Sequence, residues 1–212
     1  MLNVPRVAVL ASGGGSNLEA IHDYLVAHPV AAVTLVVSDK PSAGAIHKSQ
    51  SWGVETAVLS DPKDPRIMTA LLKDHHIDLI ALAGYLRHVP DAVTHQYRGR
   101  ILNIHPSLLP AFGGPGMYGH RVHEAVVAAG VRVSGATVHF VDEQYDRGPI
   151  VAQWPVPVTA DDTADTVAAR VLRVEHRIYP RAIAAVASGH ITLGADGRVL
   201  GSLNEELPPF AP

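Results

Sequence analysis

The chain contains no cysteine, which removes disulfides, thiolate nucleophiles and Cys-type zinc sites at the outset. It also lacks any apolar stretch near the roughly 20 residues needed to cross a bilayer. Its first apolar run, in MLNVPRVAVLASGGG, meets glycine too early for a signal sequence. The expectation is a cytoplasmic protein with no membrane partner. A basic excess is missing as well: 17 Lys and Arg against 20 Asp and Glu leave a formal net charge of −3. No overall positive field is available to hold nucleic acid phosphates. Internal repeats and low-complexity segments are also absent.

What is there reads as globular. The 212 residues are 47% hydrophobic and 17% charged, a length that suggests one domain able to bury a real core. Short apolar, β-branched runs read as strands at 6–12, 31–38, 54–59, 77–84 and 99–105, with helical patterns at 16–27, 42–52, 64–76 and 90–97 between them. Such alternation, with strands apolar on both faces, implies a parallel sheet covered by helices. After residue 112 the pattern changes. A glycine-rich segment, FGGPGMYGH, leads into a helix at 121–130, and GATVHFV and PIVAQWPVPV follow as strands joined by an acidic turn. A long helix covers 163–189, with a bend expected near Pro180. ITLGADGRVL carries an Asp-Gly hairpin signal, and the tail NEELPPFAP reads as loose.

ASGGGSN, residues 11–17, stands between a strand and a helix, the position of a phosphate-binding turn. Glycines let the backbone approach an anion, and the N–H groups at the helix start then point at it. A plain tight turn satisfies the same pattern. A dinucleotide fingerprint needs glycine at 18, where Leu18 stands, although Asp39 lies where a ribose-binding acid belongs. A Walker A loop needs a Gly-Lys pair that is not here. A phosphomonoester fits best.

In LNIHPSLLP, Asn103 and His105 are two positions apart at a strand end, so they project from one face. Pro106 keeps His105 extended. An amide donor can stabilise an oxyanion and an imidazole can move a proton, which suits acyl-type chemistry. A hydrogen-bonded strand-end cap remains the alternative on these residues alone.

LNIHPSLLP, SGGGSN, LAGYLR, GATVHFV and DRGP occur in an order and at spacings that resemble the folate-dependent formyltransferases, within residues 6 to about 190. Within that family the similarity is to members that formylate glycinamide ribonucleotide (GAR) in de novo purine biosynthesis. The resemblance implies a Rossmann-like, mostly parallel sheet flanked by helices, with a C-terminal antiparallel strand addition. It implies a single domain over 1–212: a nucleotide and phosphate half (1–100), a catalytic and folate half (101–190), and a hairpin and tail (191–212). The cosubstrate would be 10-formyltetrahydrofolate, with no metal. A homodimer is left open.

Residue by residue, the resemblance places catalysis on Asn103, His105 and Asp146, with Asp146 raising the histidine pKa. Gly15, Ser16 and Asn17 would hold the GAR phosphate, and Glu175 its ribose. Leu86, Arg87, His88 and Val89 would form one wall of the pterin slot, and Val141, Asp142, Glu143, Gln144 and Tyr145 the other. Asn103 and Asp146 would touch the folate too, and Arg66 its glutamate carboxylate. The segment AFGGPGMYGHRVH is longer than the usual family link, with His120 and Arg121 expected to face the site.

Other histidines are read as bland. His120 and His123 at i, i+3, and the adjacent His75 and His76, lack an acidic third ligand at zinc spacing and read as surface or helix-end residues. Arg170, Arg173 and Arg177 read as a solvated helix face. Of the rivals, a methionyl-tRNA formyltransferase would need a further C-terminal domain, and a formyltetrahydrofolate hydrolase a further N-terminal one. A non-catalytic nucleotide-binding module is the rival of another class.

Overall fold

A computed structural model describes residues 4–203. The tail read as loose, 204–212, lies outside the described residues. The first half runs β1 (Arg6–Leu10), α1 (Ser16–Ala27), β2 (Ala32–Ser38), α2 (Gly44–Ser51), β3 (Glu55–Val58), α3 (Pro65–Asp74), β4 (Leu79–Leu82), α4 (Asp91–Gln96) and β5 (Ile101–His105). The second half runs α5 (His120–Ala128), β6 (Val133–Phe140), β7 (Ile150–Pro157), α6 (Ala164–Ala187), β8 (Thr192–Leu193) and β9 (Val199–Leu200).

Seven strands form one sheet in the order β3-β2-β1-β4-β5-β6-β7. The first five pair in parallel, while β5–β6 and β6–β7 are antiparallel. The antiparallel addition is therefore a hairpin joined to the main sheet. β8 and β9 form a separate pair across a five-residue loop.

Strand periodicity divides the core in two. Val7 and Val9 enter a cluster with Leu18, Ile21 and Leu25 of α1 and Val167, Val171 and Ile183 of α6. Their neighbours Ala8 and Leu10 enter the opposite cluster, with Met68 and Leu72 of α3 and Val93 of α4. A strand apolar at every position is what a sheet covered on both faces requires.

Two helix starts are written locally. At α3, Asp64 caps the Arg66 N–H and Pro65 occupies the first turn. At α6, Thr163 and Thr166 form a reciprocal capping box. At Pro180, where a bend is expected, α6 continues as one element from Ala164 to Ala187. Pro180 lacks only the N–H that would have met the His176 carbonyl. Immediately before Pro180, the Tyr179 hydroxyl donates toward the Leu82 and Leu102 carbonyls at 3.0 Å each, at the end of β4 and near the start of β5. Among the described residues no helix is long and apolar enough to cross a membrane.

Candidate active site

β1 and β4 are sheet neighbours whose connections leave in opposite directions, the place where open α/β sheets bind ligands. A cavity of about 570 Å³ opens beyond the carboxyl ends of β4 and β5. Asn103 and His105 line it from β5, Asn17 from α1, and Glu175 from α6. Asp146, in the turn between β6 and β7, closes the group.

The strand register explains the centre. β5 and β6 pair antiparallel with Asn103 opposite His139 and His105 opposite Thr137. Thr137 Oγ donates to the Ser107 carbonyl at 2.6 Å and accepts from Leu109 N–H at 3.0 Å. Gln153 of β7 donates to Thr137 Oγ at 3.0 Å and to the Leu109 carbonyl at 2.9 Å. The loop after His105 is thus held by both strands of the hairpin.

The ring hydrogens follow from what each nitrogen meets, because a carbonyl can only accept. His139 Nδ1 lies 2.7 Å from the Phe140 carbonyl and must donate. Its Nε2 is then an acceptor in the neutral ring, and takes the Asn103 Nδ2–H at 3.1 Å. His105 Nε2 likewise donates to the Phe112 carbonyl at 2.9 Å, leaving Nδ1 facing Asp146 Oδ2 at 3.5 Å. Phe112 holds a positive φ of 54° and Asp146 one of 55°, conformations that cost energy outside glycine.

The His105 pKa feels the expected upward pull of Asp146, but the net shift is downward. Burial pushes it down, and this outweighs the upward pull of the Asp146 carboxylate and the Phe112 carbonyl. The resting imidazole is neutral at neutral pH. For Asp146, burial alone would raise the pKa. The net direction is nevertheless downward, through the His139 and His105 rings, which favour the carboxylate when the nitrogen facing it is protonated, and through the Gly114 N–H, which donates at 2.8 Å. Glu175 is pushed up by its burial, against the Asn17 amide that donates to it at 2.7 Å.

The two expected slot walls face the cavity through Leu86, Arg87, His88 and Val89 on one side and Val141, Asp142, Gln144 and Tyr145 on the other. They meet where His88 and Tyr145 stack edge to face, with ring centroids 5.0 Å apart. Glu143 does not line the cavity; its carboxylate turns to His95 at 3.2 Å. Arg66 is not brought to the cavity either. Its side chain, 88% exposed, folds back on the Asp64 cap at 2.7 Å. Gly15 and Ser16 lie at the start of α1, outside the cavity lining. Gly15 has φ 76°, and a Cβ there would sit 2.9 Å from Ala45 Cα, so both conformation and packing demand glycine.

His120 lines the cavity; Arg121 does not, its guanidinium lying over the ring of the lining residue Tyr118, 5.1 Å from its centroid. Reading His123 as a surface residue is wrong: it is 5% exposed, lines the cavity, and burial lowers its pKa to about 4. Arg170 is also no free surface charge, since it pairs with Asp162 at 2.8 Å and bonds the Pro157 carbonyl. His139, Thr137 and Gln153 were not singled out from the sequence, and His123 was singled out only as a surface or helix-end residue. Only alternation within GATVHFV hinted at the first two, by putting His139 and Thr137 on one strand face.

Residues 5–183 match the formyl transferase family. A phosphoribosylglycinamide formyltransferase of Bacillus subtilis (strain 168) is 40% identical over 186 residues, 84% of this chain and 92% of that protein. A chloroplastic phosphoribosylglycinamide formyltransferase of Vigna unguiculata is 42% identical over 199 residues, 91% of this chain. The match spans 64% of that plant protein's length. The crystal structure of phosphoribosylglycinamide formyltransferase from Anaplasma phagocytophilum superposes with a TM-score of 0.87 at 36% identity, covering 97% of this chain and 98% of that one. With a family match over most of its length and a shared fold, the chain belongs to the formyl transferase family.

Proposed function

We propose that the protein transfers the formyl group of 10-formyltetrahydrofolate to the amino group of glycinamide ribonucleotide, giving formyl-GAR and tetrahydrofolate for purine biosynthesis. The observation that carries this reading is the convergence of Asn103, His105 and Asp146 on one cavity, walled by residues 86–89 and by Val141, Asp142, Gln144 and Tyr145. Relatives bearing the phosphoribosylglycinamide formyltransferase name support the choice of substrates. The proposed division of labour puts the phosphate turn in 1–100 and the catalytic group in 101–190, with residues 86–89 and Glu175 crossing it.

In this reading the GAR amine attacks the formyl carbon and a tetrahedral oxyanion forms. One Asn103 amide hydrogen is committed to His139, and the other is left to meet the oxyanion. His105 starts neutral, so it can accept a proton from the attacking amine. Its imidazolium then stands between Asp146 and the new oxyanion, both of which favour its charge. That proton passes to the folate nitrogen as the C–N bond breaks. Substrate would displace the Phe112 carbonyl from Nε2, and the ring hydrogen would pass to Nδ1 beside Asp146, so that Nε2 presents the lone pair this relay needs.

Asn17 and Glu175 would hold the ribonucleotide, with the phosphate against the N–H groups of residues 15–17. Every residue assigned comes from one copy of the chain. No step requires a metal, a membrane or nucleic acid.

The test is purified protein with 10-formyltetrahydrofolate, with and without GAR. Tetrahydrofolate should appear only when GAR is present. Rapid formate release without GAR would move the assignment to hydrolysis. Binding of both ligands without turnover would make the protein a binding module.

A further inference from the structure

Asp39 follows β2, where a dinucleotide-binding protein keeps the carboxylate that reads ribose hydroxyls. Here that carboxylate is committed elsewhere. Its side chain is 1% exposed and accepts the Arg87 Nε–H at 2.8 Å. Residue 87 belongs to the connection after β4, across the sheet from Asp39. The preceding residue is held in parallel: Leu86 N–H donates to Ser12 Oγ at 3.0 Å, just beyond β1. Ser12 N–H donates to the Gly84 carbonyl at 3.1 Å, where the connection leaves β4 with φ 73°.

We infer that Asp39 is a positioning residue for the folate slot, acting through Arg87, with Ser12 as its companion anchor. The inference rests on the proposed use of residues 86–89 as a folate wall. Leu86 and Arg87 both line the cavity, yet the Leu86 residue is 48% exposed and the Arg87 side chain 55% exposed. Side-chain packing therefore does little to place them. What places them is a charged bond from the end of β2 and a hydroxyl from the end of β1.

The carboxylate is suited to the task. Burial alone would raise its pKa, but the Ser12 hydroxyl and the Arg87 guanidinium outweigh that and keep it ionised. A charge-assisted bond of this kind is short and directional. The ribonucleotide contacts Asn17 and Glu175 bond to each other, without either anchor. Losing Asp39 should therefore loosen one substrate and spare the other. One carboxylate oxygen, Oδ2, is taken by arginine, and the other, Oδ1, is buried without a hydrogen-bond partner among the described residues.

The experiment compares wild type, Asp39→Asn, Ser12→Ala, Arg87→Ala and Asp39→Ala/Arg87→Ala, each checked for an unchanged circular dichroism spectrum. Steady-state kinetics are paired with equilibrium binding of 10-formyltetrahydrofolate in the absence of acceptor. Asp39→Asn should raise the folate KM and Kd about tenfold, the scale of one charge-assisted hydrogen bond. The GAR KM and kcat should change little. Ser12→Ala, which keeps the buried charge pair, should act in the same direction if Asp39→Asn fails to fold. The double variant should bind folate no more weakly than Arg87→Ala alone, because Asp39 acts through that arginine. Equal loss for both substrates, or unchanged folate binding in Asp39→Asn and Ser12→Ala, would overturn the inference. Wild type that fails to bind the folate at all would overturn the functional reading instead.

Discussion

His139 Nε2 accepts the Asn103 amide hydrogen at 3.1 Å, from the position directly opposite it in the β5–β6 ladder. The acceptor is set by the other side of the ring, where Nδ1 donates to the Phe140 carbonyl. Asn103 is thereby oriented by a backbone carbonyl two bonds removed along a hydrogen-bond chain. The arrangement resembles the way a buried partner selects the tautomer of a catalytic histidine.

If that chain aims the amide, His139→Leu should lower kcat by roughly tenfold, part of the loss expected for an oxyanion donor. Both KM values should move little. Asn103→Ala should cost more, roughly 10²-fold or beyond. The double variant should be no slower than Asn103→Ala alone, since one residue works through the other. Independent, additive losses would show that His139 serves some other purpose.

Asp146→Asn keeps the side-chain shape and removes the charge. The carboxylate pulls the His105 pKa upward against burial, so its loss should lower that pKa further below 6.5. An NMR titration of the imidazole reads the shift directly. Turnover should fall by roughly 10²-fold or more if proton transfer carries the loss. Near-wild-type turnover in a folded Asp146→Asn protein would remove Asp146 from the catalytic group.

Acid stability should depend on His123. Its pKa falls from 6.5 when unfolded to about 4 when folded, so the unfolded chain binds the extra proton first. The stability it contributes is complete above about pH 6.5 and is lost as pH falls towards 4. His123→Leu should flatten the decline of Tm across that window. An unchanged pH profile of Tm would mean that this ring is not what acid unfolds.

Much of the fold was legible because it is written in local periods. Valines and alanines at consecutive positions of β1 feed both faces of the sheet, and the run of residues 6–10 shows this without any partner. The two-residue spacing of Asn103 and His105 guarantees one face. The Gly15 turn is legible for the same reason, a local backbone demand that glycine alone meets. Family motifs pointed to Asp146 and to residues 86–89 and 141–145, all but Glu143 of which line the cavity.

The tertiary structure decided whatever depends on a distant neighbour. Asn103 meets His139 through a strand register set across 36 residues, and no period within β5 encodes it. From the sequence, Asp39 stands where a ribose-binding acid belongs and Arg66 where a folate carboxylate would be met. One is sealed against Arg87, and the other is spent on its own helix cap. The direction of the His105 pKa is likewise a contest between an adjacent carboxylate and the loss of water around the ring. The sequence determined which groups were available, because side-chain identity and local period belong to the chain. Folding alone determined their charge and aim, because desolvation and long-range pairing exist only once the chain has closed on itself.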